Sequence, residues 1–106
     1  MQNTLNDYLD LAKKINGIDS DYVLAKKLEV NRREVSFLRH NDRKIKELTA
    51  IKLAELIGCD PVEIIAISHY WKDTKQNQQK WFDIWEKYSR FSQTINLLKT
   101  LETEKQ

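Results

Sequence analysis

Residues 26–52 hold nine lysines and arginines (Lys26, Lys27, Arg32, Arg33, Arg39, Arg43, Lys44, Lys46 and Lys52) against four acids (Glu29, Glu34, Asp42 and Glu47). The whole chain carries only +2. A compact basic block on a nearly neutral protein is what an anionic partner such as nucleic acid selects, and also what a solvated surface shows. The chemistry of the block favours the first reading. Arg32 and Arg33 follow a capping Asn31, so they fall in the first turn of a short helix. The helix dipole disfavours cations there, and two adjacent arginines in that position point to a partner that offsets it.

Other chemistries find little support. His40 and His69 stand far apart with no Cys/His cluster at ligand spacing, which argues against a metal site. Cys59 is the single cysteine and no base is placed beside it, so it reads as a small packed residue and not as a nucleophile. There is no glycine-rich phosphate loop, and carboxylate pairs such as Glu102/Glu104 lack a pocket context. The expectation is a non-enzyme with no catalytic residue, no metal, no cofactor and no small-molecule substrate.

The elements that position the block read as helices. Gly17, Gly58 and Pro61 are the only helix-breaking residues in 106, and no alternating run calls for a strand. A first helix over 4–16 carries Leu5, Tyr8, Leu9, Ala12 and Ile15 on one face and stops at Asn16-Gly17. Ser20 caps a short second helix through Leu28, with Leu24, Ala25 and Leu28 inward. Asn31 caps a third, with Glu34 three positions on as in a capping box, and Val35 and Leu38 inward. A polar turn over 40–44 leads to a fourth helix over 48–57, with Leu48, Ile51, Leu53, Ala54 and Ile57 as core candidates. Asp60-Pro61-Val62-Glu63 opens a fifth that reaches toward Trp71. The stretch 72–80 is a loop or an exposed helical linker, which leaves open whether the fifth helix continues. Residues 77–101 form one or two further helices, and 102–106 should fray.

Two short helices joined by a tight turn, the second of them basic, form a helix-turn-helix arrangement. In such a unit the first helix crosses the DNA backbone and the second lies in the major groove. The run Leu24-Ala25-Lys26-Lys27-Leu28-Glu29-Val30-Asn31 through Val35-Ser36-Phe37-Leu38 resembles the lambda-repressor-like family of the Cro or xenobiotic-response-element type. Ala50-Ile51-Lys52-Leu53-Ala54-Glu55-Leu56-Ile57-Gly58-Cys59-Asp60-Pro61 continues the likeness, which covers about residues 5–67 and is similar to small phage-encoded regulators. The chain departs from the pattern where the turn glycine is Glu29, the tryptophan is Leu38 and the loop glycine is Asn41. A glutamate in a left-handed turn costs roughly 1 kcal/mol, whereas asparagine adopts that geometry more readily.

The resemblance implies an all-α, five-helix domain over 1–70 with a C-terminal helical extension over 71–106. It implies base contacts from Arg32, Arg33, Ser36 and Phe37. Arginine can hydrogen-bond guanine in bidentate fashion, and Phe37 can touch a thymine methyl or pack in the core. Phosphate contacts would come from Lys26, Lys27, Asn31, Arg39, Asn41, Arg43 and Lys44. For Glu34, capping is favoured over base reading. In the extension, Trp81, Ile84, Trp85 and Tyr88 recur at helical spacing, as do Phe91, Ile95, Leu98 and Leu101. Trp81, Trp85 and Tyr88 either close the core or form a homodimer interface, whereas Phe91, Ile95, Leu98 and Leu101 lie too far along the chain for a five-helix core to need them and are expected in that interface. A two-fold dimer sets recognition helices about 34 Å apart on a pseudopalindromic operator. The expected protein is a cytoplasmic, double-stranded-DNA-binding repressor with no membrane partner. The other reading is an interaction module, such as an antitoxin or a phage factor that holds a host protein through the aromatic extension.

Overall fold

The computed structural model describes residues 1–105, with backbone alone at residues 91, 92 and 102–105. Among the described residues seven helices follow one another: α1 (Leu5–Ile15), α2 (Asp21–Leu28), α3 (Arg32–Arg39), α4 (Glu47–Ile57), α5 (Pro61–Lys72), α6 (Lys75–Ser92) and α7 (Thr94–Lys105). Among the described residues there is no strand, and no helix is long and apolar enough to cross a membrane. The backbone stays helical through Lys105, where the sequence predicts fraying from residue 102 on, and Gln106 lies outside the described residues.

Local chemistry sets the helix ends. The Asp7 carboxylate accepts from the Thr4 N–H at the start of α1. Ser20 Oγ accepts from the Val23 N–H, Asn31 Oδ1 from the Glu34 N–H, and Asp60 Oδ1 from the Val62 N–H. Each of these bonds satisfies one of the donors that a helix start leaves over. Gly58 ends α4 in the left-handed region at φ 84°. Asp73 and Thr74 separate α5 from α6, so the polar stretch after Thr74 is the first part of a long helix. The Asp73 carboxylate accepts from the Thr74 N–H, Asn77 Nδ2 and Trp81 Nε1, and these donors hold it down to a pKa of about 2. Gln93, at φ 60°, divides α6 from α7, which makes the C-terminal segment two helices.

One buried cluster collects side chains from every helix: Leu5, Tyr8 and Leu9 of α1, Leu24 of α2, Val35 and Leu38 of α3, Leu53 of α4, Ile64 and Ile67 of α5, Trp85 of α6 and Leu98 of α7. The segment after residue 70 thus closes the same core as the segment before it. Three core candidates fall elsewhere. Leu48 is 63% exposed, Ile51 40% and Ile15 46%. In α4 the inward stripe is Ala50, Leu53, Ala54 and Ile57, spaced i, i+3, i+4, i+7, and this turns Leu48 and Ile51 outward.

A polar knot crosses this core. Tyr8 Oη donates to Glu63 Oε2 at 2.7 Å and accepts from Trp85 Nε1 at 2.7 Å. Thr94 Oγ1 donates to the other Glu63 oxygen at 2.9 Å. Glu63 is fully buried, and every buried side-chain nitrogen and oxygen among the described residues has a partner. Burial, reinforced by the Glu63 carboxylate, pushes the Tyr8 phenol well above its ordinary range. Burial first, then Glu63, drives the Cys59 thiol to about 12, so Cys59 remains an unreactive thiol. Tyr8→Phe takes a donor from Glu63 and an acceptor from Trp85. It should lower unfolding stability by about 1–3 kcal/mol in urea titration; a loss below about 0.5 kcal/mol would contradict the role given to the hydroxyl.

Candidate nucleic-acid interface

α2 and α3 are joined by three residues, Glu29, Val30 and Asn31. Glu29 takes the left-handed conformation at φ 57°. The Val30 N–H reaches back to the Ala25 carbonyl at 3.0 Å and the Glu29 N–H to that of Lys26 at 3.1 Å, which satisfies the end of α2. Glu29 thus holds the left-handed geometry that glycine adopts at less cost. The Glu29 carboxylate pairs with Lys52 of α4, which lowers its pKa and ties the turn to that helix. Val30 packs against the core from the middle of the turn.

In α3, Val35 and Leu38 are fully buried. Arg32, Arg33 and Ser36 are exposed on the opposite side, and Phe37 is half-buried. Among the described residues neither Arg32 nor Arg33 takes part in an ion pair, so the first turn of α3 presents two guanidinium groups to solvent. Exposed lysines flank it. Lys26 and Lys27 stand on α2, with the Lys26 ammonium 4.4 Å from the Tyr22 ring centre. Lys44 and Lys46 stand on either side of Ile45 in the segment before α4. Ile45 is buried, and its N–H donates to Ser68 Oγ at 2.8 Å, which anchors the segment. Sequence reasoning took 40–44 as a polar turn and missed this anchor; the lone isoleucine between two lysines was the available signal.

Arg39 departs from its expected role. It turns inward and does not face an outside phosphate. Its Nε and Nη2 donate to both Asp21 oxygens at 2.7 Å each, and Nη1 donates to Asp10 at 2.8 Å and to Asn6. Lys13 adds a contact to Asp21 at 3.2 Å. The hydrogen bonds from Arg39 come first in lowering the Asp21 carboxyl from 3.8 to about 2. Asp21 likewise leads in raising the Arg39 pKa. A fork–fork pair of this kind fixes orientation as well as charge. It clamps α3 to α1 and α2 from the end opposite Arg32.

Asn31 is exposed while its Oδ1 caps α3. Asn41 is left-handed at φ 56°, as its type suggests, and the Asp42 N–H closes back onto the Phe37 carbonyl at 2.9 Å. Arg43 lies over the Phe37 ring, with Cζ 4.0 Å from the ring centre, and its Nη1 meets Glu34 Oε2 at 3.0 Å. Of the aromatic stripe, Trp85 and Leu98 are core residues at 7% and 2% exposure, so neither is available to a second copy. Trp81, Tyr88 and Ile95 are half-buried, with Trp81 stacked 4.5 Å from His69. The Phe91 side chain lies outside the described residues. Among the described residues no three His, Cys, Asp or Glu side chains gather into a metal-binding group.

Comparison with known protein families, with curated proteins and with solved structures finds no match to this chain.

The Arg39 clamp makes stability depend on acid. Asp21 is depressed in the folded state, so its contribution is complete above the ordinary carboxyl value of 3.8 and is lost as pH falls toward about 2. Asp21→Asn should be less stable than the parent at neutral pH, and the gap should narrow as pH falls through that window in urea titrations. A gap independent of pH would contradict the clamp.

Proposed function

We propose that the chain is a sequence-specific double-stranded-DNA-binding regulator. It is a phage- or prophage-type repressor built on a lambda-repressor-like helix-turn-helix, and it acts in the cytoplasm by occluding its operator. The observation that carries this reading is the first turn of α3, where Arg32 and Arg33 stand exposed with no ion pair among the described residues on a helix whose other side is buried. Side chains at the start of such a helix meet base edges when it enters the major groove. Arg32, Arg33 and Ser36 read bases in this scheme. Lys26, Lys27, Asn31, Asn41 and Lys44 grip phosphates, which supply affinity without sequence information.

A homodimer on a pseudopalindrome belongs to the same proposal. Among the described residues of the aromatic stripe, Trp81, Tyr88 and Ile95 are left half-buried by a single chain, so they are the portion open to a second copy. The repression step is steric and involves no bond chemistry.

Fluorescence anisotropy against duplexes from the protein's own upstream region and against scrambled duplexes, over a salt series, tests this reading. Native duplex should bind tightly near physiological salt and scrambled duplex weakly. Arg33→Ala should flatten the preference, by about 1–3 kcal/mol of discrimination. Lys44→Ala should weaken all duplexes about equally and reduce the salt slope by about 1. Indiscriminate losses from both substitutions would sink the separation of base and phosphate roles.

A further inference from the structure

Arg43 is held in a way that a phosphate contact does not require. The left-handed Asn41 and the bond from the Asp42 N–H to the Phe37 carbonyl fold the chain after α3 back over that helix. Glu34 and Phe37, at i and i+3, lie on neighbouring positions of the helix surface. The guanidinium of Arg43 rests on the Phe37 ring at 4.0 Å and meets Glu34 Oε2 at 3.0 Å. These two contacts restrain different directions. The ring bounds the guanidinium on one side, and the carboxylate holds it at Nη1.

Stability gives little reason for this arrangement. The Arg43 side chain is 54% exposed, and an ion pair with that much solvent contributes little to folding. The restraint instead bears on recognition. A phosphate is a diffuse anion that accepts a cation from many angles. The O6/N7 edge of guanine accepts an arginine fork in one plane, through two parallel hydrogen bonds. A fork whose plane is set beforehand loses less freedom on binding. Among the described residues only Nη1 has a hydrogen-bond partner, which leaves the remaining N–H groups of the fork for an outside acceptor.

We propose that Arg43 is a base-reading residue for guanine, oriented by Phe37 as a stacking platform and by Glu34 as a carboxylate buttress. The proposal rests on the DNA-binding reading above. It moves Arg43 from the phosphate set to the specificity set. It also moves Phe37 from a base contact to a support, because Arg43 covers its ring face.

Selection from randomised duplexes, followed by anisotropy on the selected site and on the same site with each guanine replaced, tests this. Arg43→Lys keeps the charge but loses the fork and its plane. It should lose at least about tenfold of the preference at one guanine, with the salt slope unchanged. Glu34→Gln keeps the backbone N–H that Asn31 caps and should lose part of the same preference at the same position. An Arg43→Lys protein with parental preference, beside an Arg33→Ala protein that has lost its own, overturns the role of Arg43 and leaves the DNA reading intact. A parent protein that selects no sequence overturns both.

Discussion

A half-buried guanidinium must find its hydrogen bonds inside the protein, and Arg39 finds them on two other helices. It donates to Asp10 and Asn6 of α1 and to both oxygens of Asp21 at the start of α2. α3 has eight residues, of which Val35 and Leu38 alone are fully buried, and a helix that short does not hold its shape in water by itself. Two apolar contacts fix where such a helix lies but restrain its rotation about its own axis weakly. The bidentate bond at its C-terminal end supplies that restraint, because a planar fork on a carboxylate tolerates little twist. The direction in which Arg32, Arg33 and Ser36 point depends on the bonds that Arg39 makes within the protein.

The knot around Glu63 does for the other end of the molecule what Arg39 does here. It joins α1 through Tyr8, α6 through Trp85 and α7 through Thr94. A carboxylate with two hydroxyl donors, one of which also accepts an indole N–H, admits one alignment. α1 is the shared member of both arrangements, since Tyr8 faces the knot while Asp10 and Asn6 face Arg39. α1 therefore takes part both in the knot that aligns the C-terminal helices and in the clamp that holds α3.

Much of the fold was legible in the sequence because its boundaries are chemical. Ser20, Asn31, Asp60-Pro61 and Gly58 act through caps and turns only a few residues long, and the helices begin and end where those residues indicate. What stayed hidden depends on partners distant in the chain. Nothing local says that Tyr8 will meet a residue 55 positions away, or Trp85 one 77 positions away. Glu63 stands where a capping-box glutamate belongs, and its carboxylate meets Tyr8 and Thr94 in the core. Leu48 and Ile51 looked like core because they are apolar at helical spacing. α4 offers two such stripes, and only the packing of α1 and α5 selects the one through Ala50 and Leu53. At the interface, exposure of the first turn of α3 could be read from its dipole-defying arginines, whereas the fate of Arg39 could not, since Asp10 and Asp21 are far from it in sequence.

Composition overstates how charge is arranged at this face. The excess of base over acid in residues 26–52 and the excess of acid in residues 1–25 look like two separate patches. In the fold they overlap, because Asp10 and Asp21 come from the acidic segment and close on Arg39. Lys52 is matched by Glu29, and Arg43 by Glu34. Arg32, Arg33, Lys26, Lys27, Lys44 and Lys46 are exposed and enter no ion pair among the described residues, and the paired Arg43 is exposed as well. Arg39, the one arginine among the described residues largely withdrawn from solvent, orients the helix. The left-handed turns at Glu29 and Asn41 thus set which basic residues come within reach of a carboxylate, since one brings Glu29 to Lys52 and the other brings Arg43 back to Glu34.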